Sequence, residues 1–192
     1  MIVIPNNRLI VGIVGHPSSG KDTVAEYLAQ CYGFTHISTG NLVREYVRDN
    51  NLGKPSRQNL NRAATKLRQK NGAGFLAKLA LQNPSPRLVI SGIRTAAEAV
   101  AVKEAGGLII AVTAPLKVRY ERARQRGRVG EDISLPMFQM IEEKEAESAD
   151  PNAQNVNAAI AKADQTLNNS GTLEDLRGQI DKMAKFWKDA VT

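Results

Sequence analysis

The chain has a single cysteine, Cys31, and that scarcity excludes an internal disulfide and any zinc site built from several thiolates. Cys31 falls in a helical pattern, which predicts a buried core thiol in a reducing, cytoplasmic setting. Histidine is nearly as scarce. His16 and His36 have no Ser/His/Asp pattern or G-x-S-x-G around them, so both read as structural or peripheral. Long hydrophobic runs are also missing: LIIAV and its like fall far short of the about 20 residues that span a bilayer. The opening MIVIPNNRLIVGIVG has no basic stretch followed by a long apolar one, so the expectation is a soluble, non-exported protein with no membrane partner. Aromatic residues make up only 5%, and no RNA- or DNA-binding motif is recognisable, which weakens a nucleic-acid reading. The net charge is nevertheless +7, from 26 Lys and Arg against 19 Asp and Glu, and favours an anionic partner such as a nucleotide, a nucleic acid or a coenzyme phosphate, with a basic but solvated surface as the alternative.

What is present is alternation. With 192 residues, 42% of them hydrophobic, the chain suits one core with small inserts. RLIVGIVG (8–15), FTHIS (34–38), RLVISG (87–92) and LIIAVTA (108–114) read as short apolar strands. Helical patterns over 22–33, 41–50, 57–71, 74–83, 95–107, 115–126 and 137–148 separate or follow them. Short apolar strands between helices indicate a mainly parallel sheet covered on both faces, a three-layer α/β fold. The asparagine-rich stretch 150–164 reads as a mobile connection ending in a short helix, and Thr172 with Asp175 as the start of the last helix. Methionine and aromatic positions, Trp187 included, are expected in the core.

No domain boundary is visible, so 1–192 is expected to be one domain. Its core would cover about 8–40, 84–126 and 160–192. The helical insert at about 41–83 and the lid at about 127–150 would then lie at the carboxyl ends of strands, where ligands bind in such sheets.

GHPSSGKDTVA, Gly15 to Ala25, satisfies the phosphate-loop (Walker A) spacing G-x-x-x-x-G-K, with a strand before it and a helix after it. Gly15, Ser18, Ser19 and Gly20 let backbone N–H groups converge on phosphate oxygens, the helix adds its positive end, and Lys21 reaches the terminal phosphates. Asp22 occupies the place of the hydroxyl that ordinarily holds magnesium. Thr23 does not substitute, being turned about 100° around the helix. A carboxylate is a hard oxygen ligand that suits Mg²⁺, and the third strand carries Ser91 where many P-loop enzymes place an aspartate. Asp22 and Ser91 are therefore expected to share the magnesium work in exchanged positions. A purely structural Asp22, held by the helix dipole, is the alternative.

Arginines form a second constellation. Arg44, after the STGN turn that contains Thr39 and Gly40, and Arg94, after Ser91-Gly92-Ile93, fall on the carboxyl edge of the sheet and could clamp an acceptor phosphate. From Lys117 to Arg128 six basic residues face one glutamate, with Arg119, Arg122 and Arg126 spaced on one helix face, as suits a lid closing over phosphates.

These segments together resemble the nucleoside monophosphate kinase and dephospho-coenzyme A kinase group of P-loop kinases, the adenylate kinase-like enzymes, from about Leu9 to Leu176. ISTGNLVRE is similar to the group's acceptor-side "GD-x-x-R" turn, VISGIRTAAEAV to its "DG-x-R" segment, and ADQTLNNSGTLEDL to its "AD-x-x-x-x-N-x-G-x-x-x-x-L" ending. The resemblance implies ATP and Mg²⁺ as cofactors. It implies Lys21 on the transferred phosphate, Arg44 and Arg94 on the acceptor, Arg122 on the adenine face and Arg126 on the ATP phosphates. Three positions depart from the pattern: Asn41 and Ser91 stand for aspartates, and Ile141-Glu142 for an arginine–aspartate pair after the lid. The expected activity is transfer of the γ-phosphoryl of ATP to a small phosphorylated or hydroxyl acceptor, a nucleoside monophosphate first. Dephospho-coenzyme A is the alternative acceptor, and an ATP-binding sensor without turnover the alternative from another class.

Overall fold

Four of the five strands form for the reason the sequence suggests, and one forms against it. A computed structural model describes residues 8–127 and 133–188. Continuous apolar runs give β1 (Leu9–Val14), β3 (Arg87–Ile93) and β4 (Leu108–Thr113). All six residues of β1 are buried, as a strand covered on both faces requires. β2 (Thr35–Ser38) lies at one edge of the sheet and β5 (Gln165–Asn168) at the other, in the order β2-β3-β1-β4-β5 with every pair parallel. β5 is the unexpected strand. Its sequence QTLN is too polar and short to announce one, and it forms because β4 offers a free edge on which Ile110 to Thr113 pair with Gln165 to Asn168.

Successive strand residues face opposite layers. Val11, Ile13, Val89 and Ile110 pack under α1 (Lys21–Tyr32) and α9 (Leu173–Lys188), where Val24, Leu28, Ile180 and Trp187 meet them. Ile10, Leu88, Ile90 and Ile109 face the other way, toward α4 (Phe75–Leu81), α5 (Ala96–Glu104) and α8 (Val156–Ile160). Between β2 and β3 the chain makes α2 (Thr39–Asp49), α3 (Arg57–Asn71) and α4, which share a smaller cluster of Val43, Val47, Ala63, Ala64 and Leu76. α6 (Leu116–Arg126) and α7 (Leu135–Ala146) follow β4. Of the expected lid, 128–132, including Arg128, lies outside the described residues.

Side-chain caps set several boundaries. Ser38 and Ser56 accept backbone N–H groups at the starts of α2 and α3, and Thr172 with Asp175 starts α9 as its sequence predicts. Thr95 and Glu98 form a reciprocal capping box on α5.

Three expectations fail. Cys31 is exposed: it lies in the last turn of α1, where Tyr27 and Tyr32 take the contact with α9 by donating to Asp181 at 2.9 and 2.7 Å. Met137 and Met140 are also exposed, while Trp187 and Met183 are buried as expected. The stretch after α7 is pinned rather than loose, because the Asn155 N–H donates to the Arg94 carbonyl at 3.0 Å and the Asn155 amide to Ser148 at 3.0 Å.

Candidate active site

The loop from Gly15 to Gly20 is shaped by close packing. Gly20 has φ of 100°, and a methyl group there would lie 2.1 Å from Asn169 Nδ2. Only glycine fits that place. Asn169, just beyond β5, donates Nδ2 to the Ser19 carbonyl at 2.8 Å and accepts from Arg122 Nη2 at 3.3 Å, so one amide ties the loop to α6. Lys21 is buried and donates Nζ to the His16 carbonyl at 2.7 Å. Burial first, then the nearby Arg94, pushes its ammonium well below the usual lysine range, while Asp22 works in the opposite direction. A bound anion would reverse that penalty.

Asp22 and Ser91 meet. Ser91, fully buried at the end of β3, donates Oγ–H to Asp22 Oδ1 at 2.7 Å. His36 Nε2 lies 2.9 Å from Ser91 Oγ. A carboxylate has no proton to give, so the serine proton faces Asp22 and His36 donates to serine from Nε2. His36 was not a sequence candidate; its signal was its place in β2, where Ser38 and His36 sit beside Ser91 and Val89 in register. Burial lowers its pKa, against the raising effects of Asp22 and Glu26.

On the acceptor side Thr39 donates Oγ1 to the Gly92 carbonyl at 2.7 Å, holding the start of α2 against the end of β3. Arg44 donates to Asn41 Oδ1 at 2.7 Å, so the residue in the aspartate's place still orients this arginine. Arg94 is held 4.0 Å from Glu145 of α7, and Glu145 in turn accepts two bonds of 2.8 Å from Arg57. Burial lowers the Arg94 pKa, with Glu145 opposing it and Arg57 and Arg68 adding to it. Arg119 does not join the phosphate-facing set: it turns to Glu142 and the Ala114 carbonyl, leaving Arg122 and Arg126 on the cavity.

One cavity of about 760 Å³ takes in both sides. Ser18, Gly20, Lys21, Asp22 and Thr23 border it at the loop, and Thr39, Gly40, Arg44, Gly92 and Arg94 at the acceptor side. Gly15, Ser19 and Ser91 stand behind it. Its lining carries seven basic side chains against the carboxylates of Asp22, Glu26 and Glu145, a balance that favours anions.

A family model described as an AAA domain matches residues 11–150. A UPF0200 protein of Aeropyrum pernix is 34% identical over 183 residues, covering 93% of this chain and 94% of its own length. The chain belongs to the UPF0200 family. A second UPF0200 protein, from Thermococcus gammatolerans, is 30% identical over 187 residues and covers 92% and 94%. Among solved structures, a shikimate kinase from Acinetobacter baumannii in complex with shikimate aligns with TM-score 0.59 at 14% identity over 94% of this chain and 93% of its own. TT1252 from Thermus thermophilus aligns with TM-score 0.57 at 22% identity over 93% and 97%. At such identities the likeness establishes the fold: the UPF0200 chain has a P-loop kinase-like architecture.

Two further properties of this UPF0200 site bear on its ligands. No group of three His, Cys, Asp or Glu side chains among the described residues could hold a metal alone, and no described helix is long and apolar enough to cross a membrane. One carboxylate and one hydroxyl, 2.7 Å apart beside Lys21, do fit Mg²⁺, which keeps waters and takes ligands from phosphates.

The loop also carries a pH dependence. His16 is lowered to about 4 by burial, then by Arg119, Lys21 and Arg94, against a weaker raising effect of Glu145. A histidine neutral in the fold and titrating near 6.5 when unfolded adds stability above pH 6.5 that is lost as pH falls toward 4. Urea unfolding midpoints are expected to drop between pH 7 and pH 5, and His16→Gln should shrink that drop; an unchanged drop in the variant assigns it to other groups.

Proposed function

We propose that the protein is an ATP- and Mg²⁺-dependent kinase of the adenylate kinase-like group that moves the γ-phosphoryl of ATP to a nucleoside monophosphate. The observation that carries this reading is the continuous cation-lined cavity running from Lys21 at the loop, past Arg94, to α3. An acceptor phosphate oxygen attacks the γ-phosphorus, the bond to the β–γ bridging oxygen breaks, and ADP leaves with the electron pair. Lys21 meets the transferred group, Arg122 and Arg126 the ATP side, and Arg44 and Arg94 the acceptor phosphate. Asp22, with Ser91 behind it, would hold Mg²⁺, which supplies charge neutralisation between the β- and γ-phosphates.

The test is ADP release from Mg-ATP with each ribo- and deoxynucleoside monophosphate and with dephospho-coenzyme A. Turnover with a monophosphate supports the proposal, and turnover with dephospho-coenzyme A alone replaces it by that acceptor. ATP binding without turnover on any of them favours a nucleotide sensor.

The Asp22–Ser91 contact makes its own prediction. Asp22→Ser is expected to lower turnover by at least about 100-fold, and adding Ser91→Asp to restore part of it, because the pair regains one carboxylate and one hydroxyl. If the double variant is no better than Asp22→Ser at any Mg²⁺ concentration, the two positions do not share the work.

A further inference from the structure

The unmatched polar atoms of the cavity are not all of one kind. Among the described residues, Ser18, Arg68, Arg94 and Arg122 border it, and Ser18 Oγ and the Nη1 atoms of the three arginines are buried without a hydrogen-bond partner. All of these can donate, and phosphate oxygens answer them. Gln154 Oε1 is buried and unmatched too, on the same cavity, but it can only accept.

Its orientation is dictated by a run of donors that starts at a carboxylate. Burial pushes the Glu145 carboxyl up, but the pair with Arg57 and the nearby Arg94 hold it below the usual range, so it is ionised. Asn61, on α3, must then present Nδ2 to Glu145 Oε1, at 2.7 Å, which leaves its Oδ1 to accept. Gln154 answers with Nε2, and Oε1 remains. Turning the Gln154 amide over would set two acceptors face to face. The backbone beside it is fixed as well, because Asn155 is bonded to Arg94 and caps α8 through Ala158 N at 3.0 Å.

An ionised phosphate or carboxylate has no hydrogen to offer Gln154. A group that meets Gln154 Oε1 directly has to bring an N–H or O–H. The surrounding walls select between them: Val43, Leu60, Ala64 and Leu76 border the cavity with apolar groups, which suit the faces of a flat ring and strip water from hydroxyls without return. Arg68 stands two turns along α3 from Asn61, on the same face, and adds a donor.

We propose that Gln154, oriented through Asn61 and Glu145, reads a ring-edge N–H of a nucleobase, making it a specificity-determining residue for a base-bearing phosphorylated acceptor. This rests on the kinase reading only in taking the cavity as the acceptor's. The experiment is calorimetric titration of the full chain and of Gln154→Met with AMP, GMP, CMP, UMP, ribose 5-phosphate and ATP. The wild type is expected to bind at least one base-bearing monophosphate about 10-fold more tightly than ribose 5-phosphate. Gln154→Met should erase that preference while ribose 5-phosphate and ATP bind as before. No base preference in the wild type, or a preference that survives in Gln154→Met, overturns the assignment.

Should the variant also lose ATP, the wild type decides alone. Its preferred monophosphate is compared with the counterpart methylated to remove the edge N–H, which binds about 10-fold more weakly if Gln154 reads that hydrogen and equally well if it does not. Because binding is the readout, a chain that never releases ADP still tests Gln154. Turnover without base preference would keep the kinase reading and reject this one.

Discussion

Replacing Lys21 by alanine lowers acceptor-dependent ADP release by about 100- to 1000-fold, the range for losing one preorganised donor at a reacting phosphate. The side chain is buried, placed by the first turn of α1 and bonded to the loop carbonyl of His16, so its ammonium is fixed at the loop. Arg94 is near, but it is held by Glu145 on the acceptor side. The check is steady-state ADP release at saturating ATP for wild type and variant prepared identically. A loss of less than about threefold would move the reacting phosphate away from Lys21 and with it the proposed direction of transfer.

The second large effect is on stability. Arg68 of α3 and Glu98 of α5 form an ion pair with side chains 1% and 0% exposed, joined at 2.8 Å. Glu98 is used three times over: it pairs with Arg68, closes the capping box with Thr95, and accepts the Arg94 backbone N–H at 2.8 Å. Arg68→Leu leaves that carboxylate buried without its cation, which costs about 3–5 kcal/mol by analogy with broken buried pairs. Urea unfolding should show the loss, and Arg68→Leu with Glu98→Gln should recover part of it. If the single variant is as stable as the parent, water reaches Glu98 and the pair does not hold α3 to α5.

Much of this was legible in the chain itself, and the exceptions share a cause. The loop, the three apolar strands and α3 could be read because their signals are local: a glycine spacing, a hydrophobic run, a helical period. Asp22 and Ser91 could be paired because one replaces a hydroxyl and the other a carboxylate in adjoining elements, and the fold sets them 2.7 Å apart. Asn169 stands in the ADQTLNNSGTLEDL ending that the sequence already marks, although its bond to Ser19 is visible only in the fold. Glu145, Asn61 and Gln154 could not be found that way. Each looks like an ordinary polar surface residue, and its role exists only after segments 84 to 93 positions apart are brought together. Arg119 shows the reverse error: it shares a helix face with Arg122 and Arg126, but Glu142 on α7 takes it. Cys31 follows the apolar period of α1 into a last turn whose tyrosines, not its thiol, contact α9.

The polar strand β5 has a consequence for how the molecule behaves among its own copies. An open sheet edge invites another chain to add a strand and start aggregation. Here the edge is four residues long, and at Asn168 its outward groups are already occupied: the backbone N–H donates to Gln179 Oε1 at 2.9 Å, and the carbonyl accepts from Gln179 Nε2 at 2.8 Å. One glutamine of α9 thus imitates a pair of backbone groups of a sixth strand and closes the sheet's border at Asn168.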